Sequence, residues 1–203
     1  MYRALAWLNG RMLVVAGWCY LAITGLITFD IVARRLLGFS TEATTELTGY
    51  LMAIGMSWGL AGTLLERGHV RIDVLVRRLP LGARVWLHIA SLVAMVATTA
   101  FFLYGAFSLA RDSFELGSTD LSSLRTPMAV PQGLWAAGFA LLLLTALALV
   151  LRSVAGVLRG EADQVDRTLM SRTYEDEAAE TLEAVGAAPA GDAAAAAHKG
   201  RAP

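Results

Sequence analysis

The sequence predicts an all-α integral membrane protein with four transmembrane helices, a cytoplasmic amphipathic segment and a disordered tail. Three observations lead there. The chain is 56% hydrophobic with a mean hydropathy of +0.56, and only 17% of it is charged, below the roughly 25% of an ordinary soluble domain. It holds four long runs without a charged residue, at 12–29, 47–65, 85–110 and 126–151. Its net charge of zero conceals a split: residues 161–203 carry nine acids and four bases, leaving that tail at −5 and the first 160 residues at +5. Two regions of different physical character share the chain.

The four runs are 18, 19, 26 and 26 residues long. About 20 apolar residues, at about 1.5 Å rise each, cross the hydrocarbon core as a helix. A buried helix of a water-soluble protein keeps a polar face, and these runs do not. The predicted spans are residues 12–33, 46–65, 84–110 and 127–151, within a membrane domain of residues 1–159. The first run exceeds the apolar stretch of a signal peptide, and no small-x-small site follows it, so it is expected to remain as a helix. Residues 160–203, acidic and then Ala-rich, hold too little large apolar area to offset ordering entropy and are expected to be a mostly disordered cytoplasmic tail, with 161–185 able to form a transient acidic helix.

Arginines set the orientation. With the N-terminus inside, the inner flanks hold nine (Arg3, Arg11, Arg67, Arg71, Arg77, Arg78, Arg84, Arg152, Arg159) and the outer loops four (Arg34, Arg35, Arg111, Arg125). The positive-inside rule then puts both termini in the cytoplasm.

An intramembrane enzyme, pump or haem carrier is expected to show ionisable or ligand residues near mid-membrane. The four runs are nearly empty of them. Asp30 falls near the outer end of the first span and His88 near the inner end of the third, where it reads as an interfacial residue beside Trp86. A haem would need two histidines at matched depth, whereas His69 lies in a loop and His198 in the tail. Cys19 is the single cysteine, which excludes an internal disulfide and a CxxC metal site; it reads as a small buried or lipid-facing residue. Neither catalysis nor a cofactor is expected.

The outer ends of the first two spans are richer. Asp30 and Arg34 share a helix face at i,i+4 spacing. Glu42 and Glu46 stand at the start of the second helix, where the helix dipole favours acids. The first reading is an Arg34–Glu46 contact pinning the hairpin, and the second has the same groups facing a partner outside. Further on, Pro127 and Pro131 open the fourth helix, where a missing N–H costs nothing. Gly55, Gly59 and Gly62 in the second span, and Gly133 and Gly138 with nearby alanines in the fourth, are small enough to admit a neighbouring helix. Both internal packing and an external partner fit them.

The order of these features carries a resemblance. Arg34, Glu46, Trp58 and Gly62, then R-x-H-x-x-x-D-x-L at Arg67, His69, Asp73 and Leu75, then Pro127, Pro131 and Gly138, resemble the small permease subunit of tripartite ATP-independent periplasmic (TRAP) transporters, the DctQ-like family. The likeness covers roughly residues 10–155. Arg35 stands where an aromatic is expected, and Thr45 where a second acid often precedes Glu46. The resemblance implies a non-catalytic scaffold in the bacterial inner membrane, bound to a large multi-span permease subunit. That subunit would carry the substrate and sodium sites, and a periplasmic binding protein would deliver an organic anion such as a carboxylate. Arg34, Arg35, Glu42, Asp120 and Arg125 become candidate contacts for the binding protein, where charge tunes encounter. Other classes remain: the membrane anchor of a redox enzyme, or the small membrane subunit of another multipartite carrier.

The segment ERGHVRIDVLVRRLP (66–80) reads as an amphipathic cytoplasmic element. Its aliphatics face lipid or a partner helix, while Arg67, Arg71, Arg77, Arg78 and the nearby Arg84 reach phosphate headgroups. Nucleic-acid binding would want a broad basic surface with base-reading side chains, and is not expected. The resemblance adds that His69 and Asp73 would fix this segment against the large subunit.

Overall fold

The computed structural model describes residues 2–39, 43–66, 79–121, 124–169 and 181–182. Contacts divide the chain into two units, Met1–Leu169 and Met170–Pro203, the second described only at 181–182. Among the described residues of the first unit, the named elements are helices: α1 Tyr2–Leu36, α2 Thr44–Leu65, α3 Leu81–Glu115, α4 Ala129–Leu158 and α5 Ala162–Leu169. The amphipathic segment and its Arg67, His69 and Asp73, together with Glu42, lie outside the described residues.

Among the described residues three helices are long and apolar enough to cross a membrane: Ala4–Leu36, Leu81–Glu115 and Ala129–Leu158. At 35 residues, α1 and α3 are about 50 Å long, well beyond the ~30 Å hydrocarbon core, so they exceed the spans read from the charge-free runs. The 22-residue α2 has the length of a span but not the apolarity of the other three. Its Gly, Ser, Thr and Trp residues replace the leucines and valines that fill α4. Those small residues have a packing use. A Cβ added at Gly55 or Gly62 would lie 3.2 Å from the Cβ of Cys19 or Leu13, and at Gly59 3.7 Å from that of Ala16. The Gly55–Gly59–Gly62 stripe therefore receives α1, and Cys19 is buried against it.

The helices form an open row. α1 packs on α2, α2 on α4 and α4 on α3, while α1 touches α4 only lightly. The edges of the row are α1 and α3. Two broad apolar faces follow, with large exposed side chains such as Trp18, Leu21, Phe101 and Tyr104.

Helix ends set the connections. After α3 the N–H of Ser118 donates to the Ser113 carbonyl (2.9 Å) and that of Gly117 to Phe114 (3.3 Å). After α4 the N–H of Glu161 donates to Gly156 and that of Gly160 to Val157, both at 3.0 Å. This paired closure needs a left-handed residue, and Gly117 and Gly160 supply it with φ of +60° and +79°. The second closure turns the chain back so that α5 lies against α3 and α4. Val165 and Leu169 there join a buried cluster with Leu64, Val85, Leu92 and Leu149. The sequence reading ends the membrane domain at residue 159, whereas the first unit runs to Leu169.

Candidate functional site

Polar side chains that join elements of the fold gather near the two ends of the helices and at points between them. At one end Asp166 of α5 is 2% exposed. Arg84 of α3 donates to both of its carboxylate oxygens, Nε to Oδ1 at 2.7 Å and Nη2 to Oδ2. His88, one turn along α3, brings Nε2 to 3.6 Å from Oδ1. His88 is thus buried, at 5% exposure, whereas the Trp86 near it on the same helix is exposed. A paired, forked arginine is the arrangement in which a carboxylate can be removed from water. Gly156 permits it: a Cβ there would sit 2.5 Å from Val165 Cγ2 and push α5 away.

At the other end residues 118–120 and 126–128, between α3 and α4, turn to pair with one another. The N–H of Asp120 donates to the Thr126 carbonyl and that of Met128 to Ser118, both at 3.0 Å, with Thr119 bridged to Pro127. Arg125 adopts φ +44°, a left-handed conformation that costs an ordinary residue about 1–2 kcal/mol. The turn carries Asp120 to α2, where the Tyr50 hydroxyl donates to its carboxylate and approaches Met128 Sδ at 3.6 Å. Glu46, one turn earlier on α2, faces the same Asp120. Glu46 Oε2 and Gln132 Oε1 are buried there without a hydrogen-bond partner. The expected Arg34–Glu46 pinning contact is replaced: Arg34 ion-pairs with Asp30 on its own helix at 2.7 Å, and Glu46 turns toward the α3–α4 loop. Pro131 sits in the first turn of α4, and Pro127 precedes that helix. Arg35 and Arg125 are exposed.

Between the ends, α4 is tied to its neighbours. The Trp58 indole N–H of α2 donates to the Leu134 carbonyl at 2.8 Å. Beside it, a Cβ at Gly138 would lie 2.6 Å from Ser57 Cβ and 2.7 Å from Trp58 Cδ1. Trp58 and Gly138, far apart in sequence, therefore form one contact. Asn9 of α1, 1% exposed, donates from Nδ2 to Thr145 Oγ1 at 3.0 Å. Thr145 passes its own hydrogen to Leu141 O at 2.8 Å.

The sequence reading missed Tyr50, Asn9 and Asp166. Tyr50 and Asn9 carried a signal in being polar within apolar helices; Asp166 carried one in its place among Ala162, Val165 and Leu169. Among the described residues no three His, Cys, Asp or Glu side chains gather closely enough to hold a metal ion. Arg84 with Asp166, Trp58 with Leu134 and Asn9 with Thr145 join helix to helix, and Tyr50 joins α2 to the loop through Asp120. A family model described as tripartite ATP-independent periplasmic transporters, DctQ component, matches residues 23–156, from the middle of α1 nearly to the end of α4. No curated protein matches.

Proposed function

The chain belongs to the DctQ component family of tripartite ATP-independent periplasmic transporters, and from that premise we propose that it is the non-catalytic small membrane subunit of such a transporter. It acts as a fixed plate for a larger permease subunit. The observation that carries this reading is how the polar side chains are used. Arg84 with Asp166, Tyr50 with Asp120, and Asn9 with Thr145 join one element of the fold to another. A carrier would aim such groups at a passage; a scaffold has no need to.

In this account all four long helices cross the inner membrane with both termini in the cytoplasm. The large subunit holds the substrate and sodium sites, and this chain needs no cofactor. A periplasmic binding protein delivers an organic anion, of which a carboxylate is the proposed class. The exposed Arg35 and Arg125, with Arg34, belong to the end that would meet it, where charge raises the encounter rate. Asp120 is assigned a second duty, holding the loop to Tyr50.

Uptake into proteoliposomes tests the reading. Vesicles holding the large subunit, with binding protein outside and a sodium gradient, are expected to accumulate a carboxylate substrate only when this chain is present. Full uptake without it would overturn the assignment. Charge reversal at Arg35 or Arg125 is expected to slow uptake at limiting binding protein and leave membrane abundance unchanged.

A further inference from the structure

A cavity of about 540 Å³ opens between the last three turns of α4 and the α5 helix. It adjoins the Arg84–Asp166 fastening and shares Gly156 and Val165 with it. Its lining changes character with depth. Leu149 and Val165 are buried at its floor, whereas Arg152, Arg159 and Gln164 are exposed at its rim. Arg152 and Arg159 are seven residues apart, so they stand on one face of α4, about 10 Å from each other along the axis. Glu161 also lines the cavity and offsets part of their charge, leaving the rim cationic by one formal unit.

The position along α4 says what such a rim would meet. The charge-free run ends at Leu151 and Arg152 follows directly, so the cavity begins where hydrocarbon gives way to headgroups. A site there with an apolar floor, two forked cations and an amide matches the boundary between the glycerol and the phosphate of a lipid. Basic pockets between helices at this depth bind anionic head groups, and guanidinium forks suit phosphate oxygens. The two hydroxyls in the lining, Ser153 and Thr168, already donate to Leu149 O and Gln164 O. At the rim, Arg152, Arg159 and Gln164 carry the remaining N–H groups of the lining that reach solvent. We propose that this cavity binds the headgroup of an anionic phospholipid, which bridges α4 to α5 and holds the short helix against the membrane surface.

The test uses the full-length protein in neutral detergent, titrated with a fluorescent short-chain phosphatidylglycerol. Saturable binding is expected, at least tenfold tighter than to the phosphatidylcholine analogue. Arg152→Gln and Arg159→Gln are each expected to weaken it about fivefold, and together roughly twentyfold. Arg111→Gln, at the far end of α3 in an exposed pair with Glu115, is expected to change nothing. Replacing both cavity arginines by lysine keeps the charge, and binding within about threefold of the native value is expected. Circular dichroism melting of every variant separates lost binding from lost fold. Native affinity in a folded double Gln variant, equal affinity for phosphatidylcholine, or displacement of the lipid by millimolar inorganic phosphate would each overturn the proposal. None of these readings depends on the transporter assignment.

Discussion

Asp166 shows how one side chain can decide whether a helix belongs to the fold. Buried at 2% exposure, it is tolerable only because Arg84 meets it with two donors. Removing one partner of such a pair leaves a buried charge and costs about 3–5 kcal/mol, whereas replacing both with apolar groups is often neutral. Asp166→Ala is therefore expected to destabilise the protein by about 3 kcal/mol in an SDS unfolding titration. The double variant Arg84→Met with Asp166→Leu is expected to recover most of that loss. Arg111→Gln makes the contrast: the Arg111–Glu115 pair is 67% and 56% exposed at its side chains, so its loss is expected to cost under about 1 kcal/mol. Tyr50→Phe removes a hydrogen bond to a carboxylate, worth about 1.5–3 kcal/mol. Faster proteolysis of the loop before α4 is its expected signature, at unchanged overall helix content.

At the scale of elements, close approach and docking govern. Gly138 lets α4 approach Ser57 and Trp58 of α2, and a methyl group there has nowhere to go. Gly138→Ala is expected to destabilise by about 2 kcal/mol through overpacking, read in the same titration. α5 can be tested by truncation, since tolerance follows burial rather than position. A chain ending after Gly160 exposes part of the buried cluster and strands Arg84, so its melting temperature is expected to fall. One ending after Leu169 is expected to melt like the full chain.

These elements also mark how far the sequence could be read. Long charge-free runs located α1, α2, α3 and α4, because a long apolar helix has a composition visible in any window. Trp58, Gly62 and Gly138 were recognisable as motif members, but their partners were not, since contact between distant helices leaves no local trace. α5 was read as tail for a similar reason: eight residues with Ala162, Val165 and Leu169 on one face are too short to outweigh an acidic neighbourhood. Arg34 had two carboxylates within plausible reach, Asp30 and Glu46, and only the fold could choose between them. Glu46 was turned away by a loop some seventy residues further on.

For the whole molecule, the open row is the consequential feature. A closed bundle hides its best surface at its centre, whereas a row of helices offers two broad sides. The proposed account assigns lipid to one and the large permease subunit to the other. In that account the internal fastenings serve to keep the plate stiff. On the same account substrate choice, sodium coupling and movement belong to the partners, and this chain contributes the pairs that join its own helices, Arg84 with Asp166 and Asn9 with Thr145. The central claim is that this chain exists to be bound. Co-expression with the large permease subunit, followed by affinity purification through a tag on this chain, tests it most directly. The account predicts a stable complex with one copy of each subunit; recovery of this chain as a self-sufficient homo-oligomer, with the large subunit left in the unbound fraction, would contradict it.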